Sequence, residues 1–156
     1  MADAPYDTDI LAWSETQADL LSRIASGQRV NGVDWEHVVE EIADVGISQL
    51  NAVGSLLTQI MLHLLKLHLL PDDSAATHWR IELIAFQDSV ERRYAPSMRQ
   101  RLDLGASWRR SRTTLVQVLG DNTQLKTLPT LCPWTLDDLM EGDQGALLAV
   151  LSRPID

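Results

Sequence analysis

The sequence predicts an all-α fold, an antiparallel helical bundle built around one long central helix. Apolar residues recur at steps of three and four along most of the 156 residues, the period of a helix with one buried face. No run of alternating β-branched residues bounded by turns is found, which removes the usual strand signal. The stretch 34–70 keeps a polar line and an apolar line over its whole length and stops at Pro71, where a helix cannot continue without losing a hydrogen bond.

The first helix is expected from about Thr8 to Ser26, capped by Asp7 or Thr8 and stopped by Gly27. Ile10, Trp13, Gln17, Leu20, Leu21 and Ile24 fall on one side of it. Asn31-Gly32 is a turn dipeptide, after which Asp34 caps the long helix. At about 100° per residue, His37, Glu41, Asp44, Ser48, Ser55, Gln59 and Lys66 lie near one line. Val39, Ile42, Val53, Leu57, Ile60, Leu64 and Leu67 lie well away from it. The two faces agree across Gly46, the one plausible break, and so favour a nearly continuous helix. His63 flanks the polar line and His68 lies opposite it.

A helix from about Ser74 to Tyr94 follows, with Trp79, Leu83, Phe86, Val90 and Tyr94 as its core stripe. Pro96-Ser97 starts a short helix through Leu102, and another runs from about Gly105 to Leu119, presenting Trp108, Leu115, Val118 and Leu119. Residues 120–134 read as loop, with Pro129 and Pro133 as breakers. Thr135 caps a short helix over Leu136–Met140, and Gly145–Asp156 adds a final turn. Five of the eight aromatic residues are tryptophans, Trp13, Trp35, Trp79, Trp108 and Trp134, read as core anchors whose indole N–H needs a partner. The expected organisation is a single helical domain over 1–156, with an ordered core at about 6–140.

Hydrophobic residues make up 45% and charged residues 22% of the chain, ordinary for a globular protein and too apolar for a disordered one. One cysteine, Cys132, excludes an internal disulfide and a cysteine-based zinc site and points to a reducing compartment, read as the cytoplasm. The acidic start MADAPYDTD lacks the basic and apolar regions of a secretory signal. The most apolar stretch, Ile60–Leu70, carries His63, Lys66 and His68 and is too short to cross a bilayer. Net charge is −9, and residues 1–50 hold ten acids against two arginines. That sign disfavours nucleic acid as a partner, since phosphate binding needs a clustered basic face. The later arginine run, Arg92 to Arg112, is read as answering the acidic N-terminal half.

Candidate chemistry is sparse. His63, His68 and His78 are poorly spaced for one metal ion, because zinc sites on a helix favour steps of three or four. Cys132 shows neither the base nor the electropositive setting of a nucleophile. The one polar group with catalytic residue types is Glu40, Glu41, His63 and Lys66. These converge only if the long helix folds back at Gly46 or pairs across subunits; on a continuous helix Glu41 and His63 stand about 33 Å apart.

Several segments, taken in order, resemble a bacterial family known as domain of unknown function 29. They are Tyr6-Asp7-Thr8-Asp9-Ile10-Leu11-Ala12-Trp13 with Gln17–Leu21, Val38–Gly46, Leu62–Lys66 with Trp79-Arg80, and Cys132–Leu139. The resemblance covers residues 6–140. It places weight on Trp13, Glu40, Glu41, His63, Lys66 and Trp79, and Arg80 joins Trp13 and Trp79 as a candidate surface patch. Leu11 stands where an aromatic residue is usual, and Trp108–Arg112 replaces a Tyr- and Arg-containing stretch. The resemblance implies no activity. Two functions are carried forward. One is a non-enzymatic, homo-oligomeric or partner-binding helical module without a cofactor. The other is a metal-dependent hydrolase acting on nucleic acid or a phosphate ester. In it, Glu40 and Glu41 hold the metal, His63 is the base and Lys66 stabilises charge.

Overall fold

A computed structural model of the chain describes residues 6–120 and 123–153. Residues 1–5 of the acidic start, 121–122 of the expected loop and 154–156 of the expected last turn lie outside the described residues. Six α-helices follow in order: α1 Ile10–Ala25, α2 Trp35–Leu69, α3 Ala76–Arg93, α4 Leu104–Leu119, α5 Leu136–Glu141 and α6 Gln144–Leu151. No strand occurs among the described residues. The fold is all-α, with α2 as its long central helix.

The helix starts follow local capping chemistry. Asp9, rather than Asp7 or Thr8, caps α1, its carboxylate accepting the Ala12 N–H at 3.0 Å. Asp103 does the same for α4 toward Ala106, and Asp143 for α6. Each satisfies one of the N–H groups a helix leaves unpaired at its start. Thr135 and Asp138 form a reciprocal capping box at α5. α3 starts two residues later than expected, at Ala76, with no side-chain cap from Ala75. The expected helix after Ala95 shrinks to a 3₁₀ turn over Pro96–Met98, and a second such turn, Thr123–Thr127, lies in the expected loop.

The backbone groups into two compact units, residues 1–48 and 49–156, with the division inside α2. In the second unit the α2 segment is the core. Val53, Leu57, Ile60, Met61, Leu64 and Leu65 are fully buried. α3 runs antiparallel to it: Arg93 reaches Gln49, and nearer the opposite end Glu82 reaches His63. The expected α3 stripe holds, with Leu83 and Val90 fully buried and Trp79, Phe86 and Tyr94 packed at the margin. Gln87 ties α3 to α5, donating to the Leu139 and Gly142 carbonyls at 3.0 Å. Trp108 and Trp134 meet edge to face at 5.5 Å, and their indole N–H groups donate to the carbonyls of Pro129 and Leu147. The anchor reading thus holds for these two and for Trp13, which is 5% exposed. It fails for Trp35, 57% exposed. Val118 is exposed as well: α4 buries Trp108, Ser111 and Leu115, with Leu119 packed at the margin of the core.

In the first unit only Trp13, Gln17 and Val38 are buried among the described residues. Gln17 does more than fill space: its side-chain carbonyl accepts the Asp34 N–H at 2.8 Å, fixing the start of α2 against α1. Ile10 and Ile24, expected on the core side of α1, are exposed.

By length and composition α2 is apolar enough to cross a membrane, although 56% of its most apolar window is buried inside the protein. The eleven residues Ile60–Leu70 are too short for this by themselves; the unbroken helix supplies the length. Such a window is also what a core helix carries.

Replacing Trp108 with Ala is expected to cost roughly 3–5 kcal/mol, since it opens a void at a fully packed site and leaves the Pro129 carbonyl unpaired. Urea denaturation followed by far-UV circular dichroism measures it.

Candidate functional site

The residues singled out from sequence fall into two clusters, one in each unit. α2 is helical straight through Gly46, so the hairpin that would bring Glu40 and Glu41 to His63 within one chain is not formed.

The second unit holds His63 and Lys66 on α2 with Trp79 on α3. The structure adds Glu82, which sequence reasoning missed, and His78. His63 is buried, 4% exposed. Its Nδ1 lies 2.9 Å from the Gln59 carbonyl and its Nε2 2.7 Å from Glu82 Oε2. Both ring nitrogens thus face acceptor groups of the protein. The ring also stands edge-on to Phe86 at 5.1 Å. Glu82 is bifunctional: its other oxygen lies 3.2 Å from Nε2 of His78, one turn away on the same helix. The hydrogen bond from His63 is the main reason that the Glu82 carboxyl is held below its ordinary value, with the His63, His78 and Lys66 charges adding to it and burial opposing it. Lys66 Nζ sits 5.3 Å from the centre of the Trp79 ring, a cation–π contact. Arg80 is exposed, and its backbone carbonyl accepts from Gln144 at 2.7 Å. Glu82 was legible only as a carboxylate one turn after His78; its pairing with His63 depends on the register between α2 and α3.

The first unit gathers Trp13 and Glu41 with Tyr6, Asp34 and His37. Asp34 Oδ2 accepts the Trp13 indole N–H at 3.1 Å and lies 2.7 Å from His37 Nδ1. Tyr6 stacks on the His37 ring at 4.0 Å and donates its hydroxyl to Glu41. That bond, with burial and nearby carboxylates behind it, pushes the Tyr6 hydroxyl up to about 12. The hydrogen bond with His37 holds Asp34 low, and the same bond raises His37 above 6.5. Glu40 is exposed.

Chemically, both clusters are networks of satisfied groups. Both His63 ring nitrogens are engaged by the protein, Nδ1 with Gln59 and Nε2 with Glu82. Among the described residues no group of three or more His, Cys, Asp or Glu side chains is placed to hold a metal ion. His68 is half-buried, and burial lowers its ring below 6.5. Burial pushes the Cys132 thiol up, and its Sγ lies 3.5 Å from the Trp134 carbonyl; a raised thiol is a poor nucleophile. Of the arginine run, Arg92 pairs with Asp88 and Arg99 with Asp137, inside the second unit.

The remaining feature is a surface. Trp35, Val39, Ile42 and Val45 are 57%, 63%, 68% and 65% exposed. Their spacing along α2 puts them on one stripe, with Gly46 among them.

A helical chain of this make-up is defined by its family. The model of the family described as domain of unknown function DUF29 matches residues 5–144, and the chain belongs to that family. It is similar to an α-helical protein of unknown function from Rhodospirillum rubrum ATCC 11170, known from a crystal structure at 1.45 Å resolution. The two share 26% identity over 96% of this chain and 99% of that one, with a TM-score of 0.66. No curated protein matches the sequence.

The Glu82 pair sets a pH dependence. A carboxyl held below its ordinary value of 4.5 stabilises the fold above that value, and the contribution is lost as pH falls through the lower folded value. His37, raised above 6.5, behaves oppositely: its contribution is complete below 6.5 and lost as pH rises through the higher folded value. Urea midpoints of wild type and Glu82→Gln are therefore expected to differ at neutral pH and to converge in acid. Those of wild type and His37→Gln are expected to converge in alkali.

Proposed function

We propose that the protein is a non-enzymatic interaction module whose first unit binds an amphipathic, basic-flanked helix of a partner protein along the α2 stripe. The observation that carries this is the exposure of Trp35, Val39, Ile42 and Val45, all 57% or more, on a helix whose later residues Val53, Leu57, Ile60 and Leu64 are fully buried. Covering a large apolar side chain is worth roughly 1.5–3 kcal/mol, so four in one stripe leave a substantial gain open to a partner. Gly46 supports the same reading. A glycine inside a helix costs roughly 0.5–1 kcal/mol relative to alanine, and a Cβ built there meets nothing within 4 Å. Among the described residues no packing uses the small residue, and a second helix at close approach would.

Charge selects the occupant. Glu36 and Glu41 flank the stripe on α2, Glu40 and Asp44 lie on the opposite side of the helix, and residues 1–50 hold ten acids and two arginines. Two copies meeting through this face would oppose like charges, whereas a partner with basic flanks is complementary. The single free thiol supports a reducing setting, the cytoplasm of a bacterium.

A designed helical peptide with a leucine stripe and lysine flanks is expected to bind saturably in calorimetry. Its glutamate-flanked counterpart is expected not to bind. Ile42→Glu is expected to weaken binding by about tenfold or more, roughly 1.4 kcal/mol. Equal binding of both peptides, or of neither, overturns the proposal. So does a dimer in analytical ultracentrifugation that Ile42→Glu dissolves, which would make a second copy the occupant.

A further inference from the structure

Unit two contains a cleft of about 410 Å³ between α2 and the start of α4, a volume typical of small-molecule sites. Its lining comes from one face of each helix: Asn51, Gly54 and Ser55 on α2, Asp103, Ser107 and Arg110 on α4 and its cap. Arg101, from the turn before α4, completes the rim. At the closed end the two helices touch through a hydrogen bond, the Ser111 hydroxyl lying 2.9 Å from the Thr58 carbonyl, with Thr58 itself a lining residue. Small side chains keep the rest open.

We propose that this cleft binds a phosphate monoester that carries hydroxyl groups, such as a sugar phosphate or a mononucleotide. The side chains of Arg101 and Arg110 have no hydrogen-bond or ion-pair partner among the described residues, unlike those of Arg92 and Arg99, which are paired with carboxylates. Two guanidinium groups at the rim of one cleft, in a chain of net charge −9, form a local site of the opposite sign. Their forked donors match a phosphate. Asp103 uses Oδ1 to cap Ala106; its second carboxylate oxygen accepts from a hydroxyl. The Asn51 amide and the Ser55 hydroxyl, neither with a side-chain partner among the described residues, supply further polyol contacts. A bare phosphate leaves these three groups and most of the volume unused.

Gly54 gives independent support. It lies mid-helix, where alanine would be more stable, and a Cβ built on it meets nothing within 4 Å. The residue keeps the cleft deep and serves no packing contact within the chain. This also supplies a clean test, because Gly54→Leu fills the cleft while favouring the helix.

Calorimetric titrations of the full chain with ribose 5-phosphate, adenosine 5′-monophosphate and inorganic phosphate decide the matter. At least one of the two organic phosphates is expected to bind about tenfold or more tightly than inorganic phosphate, and the better of them identifies the ligand type. Arg110→Ala and Arg101→Ala are each expected to weaken it by about tenfold. Gly54→Leu is expected to abolish binding while leaving the thermal midpoint unchanged or higher. Asp103→Asn, which still caps a helix, is expected to reduce the preference over inorganic phosphate. The absence of saturable binding, equal affinity for inorganic phosphate, or binding that survives Gly54→Leu in a folded variant overturns the proposal.

Discussion

The second half of α2 is apolar on nearly every side, and a helix of that kind has to be enclosed. Met61, Leu62, Leu64, Leu65 and Leu67 point in different directions around the axis, yet each is buried. That requirement brings α3 alongside antiparallel and recruits Leu115 of α4, Leu139 of α5 and Leu147 of α6 into one core. It also explains the polar exceptions. Among the described residues no buried side-chain nitrogen or oxygen lacks a partner, as the cost of burying an unpaired polar group demands. Thr58 returns its hydroxyl to the Gly54 carbonyl, and His63 finds Gln59 and Glu82. The His63–Glu82 pair is thus first a consequence of enclosing the helix. Its polar character comes from keeping an imidazole inside an apolar shell.

Much of this was legible in the residues. The agreement of polar and apolar faces across Gly46 foretold an unbroken α2, and Thr135 announced the start of α5. What periodicity records is amphipathicity, however, and not the neighbour that covers it. Val39 and Ile42 carry the same helical signal as Val53 and Leu57, yet the first pair is exposed and the second buried. Glu82 escaped notice for a related reason. Its partner lies 19 positions away on another helix, and only the register between two helices makes that pair. The same holds for the cleft, whose lining is assembled from α2 and α4 and leaves no local motif.

Charge is partitioned as sharply as burial. The first unit surrounds its aromatic rings with carboxylates, and Asp34 and Glu41 are spent on holding Trp13, His37 and Tyr6. The second unit pairs Arg92 and Arg99 with nearby acids and leaves the side chains of Arg101 and Arg110 without a partner among the described residues. An acidic apolar stripe and a basic cavity on one chain are chemically orthogonal surfaces, suited to a protein ligand and a small anion respectively.

One helix therefore belongs to two cooperative units of unequal strength. Opening free energy follows the amount of apolar surface a segment buries, and the first unit buries only Trp13, Gln17 and Val38 among its described residues. Amide hydrogen exchange along α2 should accordingly be graded, fast in its first three turns and slow beyond Val53, without any break in the hydrogen-bonded backbone. The long helix is firmly enclosed in one unit and loosely secured in the other, where the ordering of a few turns can be coupled to whatever settles on them.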